Sequence, residues 1–325
     1  MTAASFNKRT LLCLSAFAFT LSGAVSDGRA PVSVAHTTPI AQPASLTETA
    51  VLTESDLDGE AQRLAEIAPA AAAPAAIVIK SASAVSLHRQ FTSQGYTLDA
   101  IRKDGEAVPR VYLAQLPRDL PSLPSPDFRK AVFIKMMLPL LLAENERIRQ
   151  DRARALEIRA LLEDGAAATS EQLAWLSDLA GRYGVDDGNL DELFNRIDVV
   201  PPALALAQAA LETGWGTSSV AQRGHAMFGQ MVFRIDADGT NATVKTFSNL
   251  GAAVEAYAYN LNTHRAYADF RKVRAQMRDA GRVIDGYELS LHLVRYSERA
   301  LDYVQAVRGL IRVNNLQPFD RARLG

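Results

Sequence analysis

The sequence predicts an α+β fold, predominantly helical, with one small β-hairpin lobe. Three observations predict it. Apolar residues recur at helical spacing through most of residues 128–311. The stretch 231–247 switches to alternation around an Asp-Gly turn. The run Val200–Thr217 (VPPALALAQAALETGWGT) is apolar on nearly every face, as a helix buried all round would be.

Composition narrows the classes. The chain has 325 residues and is 48% hydrophobic, enough for a packed core. A formal net charge of -1 gives no overall pull toward nucleic acid or anionic lipid, so no nucleic-acid partner is expected. Residues 1–30 read as a signal peptide or anchor. Lys8 and Arg9 precede the apolar run Leu11–Ala24, with small-residue cleavage points after Ala24 and Ala30. That run is short for a span, which needs roughly 20 apolar residues. No other segment qualifies, so no stable membrane span is expected after processing, and the destination is the periplasm or cell envelope. Cys13 is the one cysteine and lies in this run. Residues 31–85 read as a low-complexity linker, with the Ala/Pro run Ala68–Ala76 at their centre. Ile77–Ile79 is a short strand candidate.

Helical patterning begins with Phe128, Val132, Phe133, Met136, Met137, Leu140 and Leu141, and Pro139 should kink that helix. Glu144–Glu163 reads as a charged surface helix with a thin stripe of Ile148, Ala155 and Leu162. Thr169 and Gln172 make a capping box ahead of Leu173, Leu176 and Ala180. Leu190, Leu193, Phe194 and Ile197 mark the next helix. Pro201 and Pro202 suit the start of the buried helix, and Gly214 and Gly216 its end. Met231, Phe233 and Ile235 alternate, a turn spans Asp236–Asn241, and Thr243, Lys245 and Phe247 alternate again. Helices resume through Val254, Tyr257, Ala258 and Leu261, then Tyr267, Phe270, Val273 and Met277. Two more run through Leu289, Leu293 and Tyr296, and through Leu301, Val304, Val307 and Ile311.

Glu212 is the ionisable side chain of the buried run. It stands near the helix C-terminus. Desolvation and the negative end of the helix dipole both disfavour its carboxylate, which suits a general acid at neutral pH. A second group is less defined. Asp236 and Asp238 lie at the hairpin tip, where Asp-Gly also serves plain turn chemistry. Glu255 is a weaker candidate, at a surface position of its helix. The five histidines, His36, His88, His225, His264 and His292, show no ligand spacing, so no metal is expected. The run Asp236–Asn241 resembles a calcium loop only faintly, with Phe247 where its last Glu would be. No phosphate loop or nucleophile elbow is present, and no cofactor is expected.

Several ordered blocks together resemble the autolysin-type endo-β-N-acetylglucosaminidase family, in its Bax-like branch. Asp198–Gln222 resembles the catalytic helix. Arg223–Gln230 (RGHAMFGQ) resembles the Gly-Asn-x-Leu-Phe-Gly segment. Ala256–Arg271 resembles the helix after the hairpin, Tyr296–Tyr303 (YSERALDY) the late tyrosine motif, and Phe128–Asn145 the N-terminal helices. The resemblance implies a lysozyme-like domain over 196–318, preceded by a helical region over 86–195. It implies hydrolysis of β-1,4 bonds in peptidoglycan glycan strands, after N-acetylglucosamine. Glu212 then matches the catalytic acid and Tyr296 the site tyrosine. Trp215, His225, Phe228 and Tyr259 fall in the matched blocks as candidate substrate contacts. Three positions depart from the pattern: His225 stands for Asn, Met231 for an aromatic residue, and Ala300 for Gly. The alternative readings are a catalytically weak glycan-binding or envelope-morphology protein, and a lytic transglycosylase.

Overall fold

A computed structural model describes residues 77–80, 82–185, 188–236 and 239–325, with the backbone alone over 233–236 and 239–241. The leader and nearly all of the linker expected over 1–85 lie outside the described residues, as does Asp238. The described elements are β1 (Ile77–Ile79), α1 (Ala84–Ser93), β2 (Val111–Leu113), α2 (Pro126–Glu163), α3 (Ser170–Arg182), α4 (Leu190–Arg196), α5 (Pro202–Thr213), α6 (Ser219–Gly224), β3 (Met231–Asp236), β4 (Gly239–Val244), α7 (Leu250–Thr263), α8 (Ala268–Asp279), α9 (Gly286–Leu289) and α10 (Ala300–Val313). The architecture is mainly helical with two small sheets. No described helix is long and apolar enough to cross a membrane.

The strands differ from expectation in two ways. β1 pairs in parallel with β2, a strand hidden in a Pro-interrupted stretch that carries no clear alternation. The hairpin is tighter than read, because β3 and β4 pair from Met231↔Val244 to Asp236↔Gly239. Thr240 and Asn241 therefore belong to a strand and not to the turn, while Lys245 and Phe247 lie beyond it.

α2 is a single helix of 38 residues that carries Pro139 inside it and runs on through the charged stretch read as a surface helix. The physical reason is a replacement hydrogen bond. A helical proline strands the carbonyl four residues back. Here that carbonyl belongs to Lys135, and the Tyr96 hydroxyl donates to it at 3.2 Å. Apolar packing does the rest, since Val132–Leu142 is buried throughout. The charged half matches the expected surface helix. Arg147 bonds Glu144 and Asp151, and Arg159 bonds Glu163. The buried stripe there is Ile148, Ala155 and Ile158, with Leu162 exposed. The capping box at Thr169 and Gln172 is formed in full.

One hydrophobic core runs from Ala84 to Phe319 and draws on both the 86–195 and the 196–318 stretches. The boundary between them is not a seam, for the chain there is clamped from several helices. Asn145 of α2 donates to the Val200 carbonyl at 2.8 Å and accepts from its N–H at 2.9 Å. Arg274 of α8, fully buried, donates to the carbonyls of Asp198 and Val199 and to Asn262. Arg278 forms a fork on the Asp198 carboxylate. A buried ion pair needs its remaining donors satisfied; most are here, while Arg274 Nε lies 3.8 Å from the Asp198 carboxylate without a hydrogen bond.

That clamp delivers the chain to α5. Pro201 and Pro202 start the helix without a side-chain cap. The cap comes instead from Asp320, 117 residues on, which accepts from the Ala203 N–H at 2.8 Å. The same carboxylate accepts from Gly286 at 2.7 Å. The helix ends as expected, with Gly214 left-handed at φ 59° and its N–H returning to the Ala210 carbonyl.

Candidate active site

Glu212 occupies the last turn of α5. Its Oε1 is buried and has no hydrogen-bond partner among the described residues. Burial pushes the carboxyl from 4.5 up to about 7, against the pull of a hydrogen bond from Tyr303 and the positive charge of Arg299.

Two further features shape this carboxyl. Gly229 sits against it at φ 62°, and a Cβ there would lie 2.6 Å from Oε2. Only glycine fits that approach without displacement. Behind the carboxyl runs a relay of buried polar groups. The Tyr257 hydroxyl donates to Gln208 Oε1 at 2.7 Å, and Gln208 Nε2 donates to the Tyr303 hydroxyl at 2.9 Å. Tyr303 thus accepts from Gln208 and has its own hydrogen free for Glu212. With the Gln208 amide in this orientation, its oxygen accepts and its N–H donates, which sets the direction of both bonds.

Tyr303 and Gln208 were not among the residues singled out from sequence. Gln208 carried a usable signal: it is a polar residue on an apolar helix, one turn before Glu212 and on the same face. Tyr303 carried less, as the last residue of the tyrosine motif.

The expected residues fall in different places. Tyr296 stacks on Tyr303 with ring centroids 5.4 Å apart, and its hydroxyl donates to the Phe228 carbonyl at 2.8 Å. It holds the 228–229 backbone against the carboxyl. Phe228 itself is a correction: its ring is buried and stacked on Tyr257 at 3.9 Å, so it packs the core and offers no face to a ligand. Tyr259 is exposed, but it lies two residues beyond Tyr257, so it faces away from the relay. Trp215 is half-buried against Phe133, with Lys130 Nζ 5.8 Å above its ring. His225 caps α6 in the left-handed conformation at φ 51°, half-buried, with its pKa lowered by burial. Asp236 ends β3, and Asp238 lies outside the described residues. Glu255 sits among Glu144, Arg147 and Arg182, none of which acts on Glu212. Among the described residues no three His, Cys, Asp or Glu side chains gather to hold a metal ion.

The departures at His225 and Ala300 take on a conformational meaning here. Both residues have positive φ, 51° and 46°. Asn and Gly, which the family pattern carries at these places, are the types that adopt this region readily. The substitutions therefore bear on backbone strain.

A buried acid at the end of an apolar helix suits a glycoside hydrolase, and the family match makes that the class. The family model for mannosyl-glycoprotein endo-β-N-acetylglucosaminidase matches residues 189–316, and the chain belongs to this glucosaminidase family. It is 32% identical over 194 residues to Protein bax of Escherichia coli (strain K12), covering 57% of this chain and 69% of that protein. It is also similar to the catalytic domain of the autolysin Auto from Listeria monocytogenes, at 17% identity and a TM-score of 0.28, covering 50% of this chain and 97% of that one.

Proposed function

We propose that the protein is an endo-β-N-acetylglucosaminidase that cuts β-1,4 bonds in peptidoglycan, with Glu212 as general acid. The observation that carries this is the bare, buried Oε1 on a carboxyl pushed to about 7. Burial keeps the carboxyl protonated to about neutral pH, and that proton is the one a glycosidic oxygen would receive. As the sugar–oxygen bond breaks, the proton passes to the leaving oxygen and positive charge develops on the sugar ring. Tyr303 is the hydrogen-bond partner of the acid. Tyr296 and Gly229 are positioning residues that hold the 228–229 loop beside it.

The candidates for the second group are Asp236 and Asp238, which the sequence puts around the hairpin turn. If neither serves, the substrate's own acetamido oxygen is the nucleophile. Trp215, three residues beyond Glu212 and half-buried, is the candidate for stacking on a sugar ring. His225 is a further candidate contact at the edge of this region. The site of action is the cell envelope, reached through the basic and apolar leader.

Mass spectrometry of products from purified peptidoglycan tests the proposal. Soluble fragments with reducing N-acetylglucosamine ends are expected. Anhydro-muramyl ends would mean a lytic transglycosylase instead. Sedimentation of the protein with insoluble peptidoglycan, without release of fragments, would mean a glycan-binding protein.

A further inference from the structure

Arg299 stands at the entry to α10, one turn before Tyr303 and on the same helix face. It is exposed, and its side chain makes no hydrogen bond or ion pair among the described residues. Its backbone is pinned: the Arg299 N–H donates to Ser297 Oγ at 3.3 Å, and its carbonyl accepts from Asp302 at 3.0 Å. The next residue, Ala300, holds φ 46°, a conformation that costs an alanine some strain.

This arrangement contains a conflict. Glu212 needs its proton, and burial helps it keep one. Arg299 stands one helical turn before Tyr303, whose hydroxyl meets Gln208 one turn before Glu212, and its positive charge favours the Glu212 carboxylate. An unpaired cation beside a general acid weakens it in the empty enzyme. The conflict disappears if an anion covers the guanidinium when substrate is bound.

We infer that Arg299 is a specificity residue, which takes a carboxylate of the glycan strand beside the bond to be cut and so selects acidic peptidoglycan over neutral N-acetylglucosamine polymers. The inference rests on the proposed function and adds the reason for its substrate class. Two carboxylates fit the chemistry: the lactyl group of muramic acid, free where no peptide is attached, and those of the stem peptide. Either forms paired N–H···O bonds with a guanidinium. Pairing also returns Glu212 to its fully desolvated state, so the acid is strongest as a proton holder when the correct strand is in place.

The test uses the full chain and three substrates: intact peptidoglycan, glycan strands stripped of peptide by an amidase, and a neutral N-acetylglucosamine hexamer. Arg299→Ala should lower kcat/KM on the acidic substrates by roughly tenfold more than on the hexamer, the size of one charge-assisted hydrogen bond. Arg299→Lys should recover part of the loss. In the wild type, the alkaline limb of the pH–rate profile should lie higher on acidic strands than on the hexamer, and Arg299→Ala should bring the two limbs together. Loss on stripped strands alone identifies the lactyl carboxylate, which is free only there; loss on intact peptidoglycan alone identifies the stem peptide; and loss on both means that either carboxylate is taken. An equal loss on all three substrates, or no loss, overturns the inference while leaving the proposed function in place. A wild-type protein that cuts none of them overturns the proposed function itself.

Discussion

Glu212→Gln preserves the shape of the side chain and removes its titration. The carboxyl moves from 4.5 to about 7 because it is buried. A shift of that size corresponds to about 3 kcal/mol between the two protonation states, or about 2–3 kcal/mol allowing for the residue's partial contact with solvent. This is an acid whose folded-state pKa is raised, the reverse of a salt-bridged carboxylate. Below about pH 4.5 the folded and unfolded chains both hold the proton, and Glu212 contributes no difference. Between that point and about pH 7 the folded chain holds a proton the unfolded chain has lost, so stability falls as pH rises. Above about pH 7 the folded state contains a buried carboxylate and the full penalty applies. Gln escapes that penalty. Urea denaturation should show the variant matching the wild type near pH 4 and exceeding it by about 2–3 kcal/mol near pH 8. Asp320, whose carboxyl burial also pushes up to about 7, is present in both proteins and cancels. Release of fragments from peptidoglycan should be lost at every pH. A stability difference that does not change with pH would refute the buried acid, and full activity in the variant would refute its role.

Three further outcomes are expected. Tyr303→Phe removes a bond that favours the Glu212 carboxylate, so the alkaline limb of the pH–rate profile should move upward; it also leaves the Gln208 donor unpaired, at about 1–2 kcal/mol in a denaturation curve. Ala300→Gly relieves a left-handed alanine and should raise stability by about 1 kcal/mol in calorimetry. Asn145→Ala breaks both bonds to Val200 in a buried setting and should cost about 3 kcal/mol by urea denaturation, with the pH dependence of any remaining activity unchanged.

The parts of the molecule that could be read from sequence are those specified locally. The buried helix announces itself by its apolar run, its opening prolines and its closing Gly214, and Glu212 stands out as the charge that does not belong. The Thr169 capping box is likewise local. What could not be read depends on partners far along the chain. Pro139 looks like a break until Tyr96 is seen to supply its missing bond. The start of α5 looks uncapped until Asp320 folds back onto it. The link from Gln208 to Tyr303 spans 95 residues, and no spacing rule connects them. Phe228 illustrates the opposite error. The resemblance made it a candidate substrate contact, but the left-handed Gly229 brings the backbone to the carboxyl while the ring turns inward onto Tyr257.

The clamps also decide how much chain the site requires. The family match covers 189–316. Asn145, which fixes Val200, lies before that stretch, and Asp320, which caps α5, lies after it. Gly216, just past the acid, approaches Leu120 and Phe133, so that added side-chain bulk would meet them. Trp215 packs edge-on to the same Phe133. Both ends of the acid-bearing helix therefore rest on residues outside the matched region. A carboxyl kept dry at about 2–3 kcal/mol of cost needs a helix that does not shift. Here α2 and the C-terminal turn hold it, and the long N-terminal helix is part of the site's foundation.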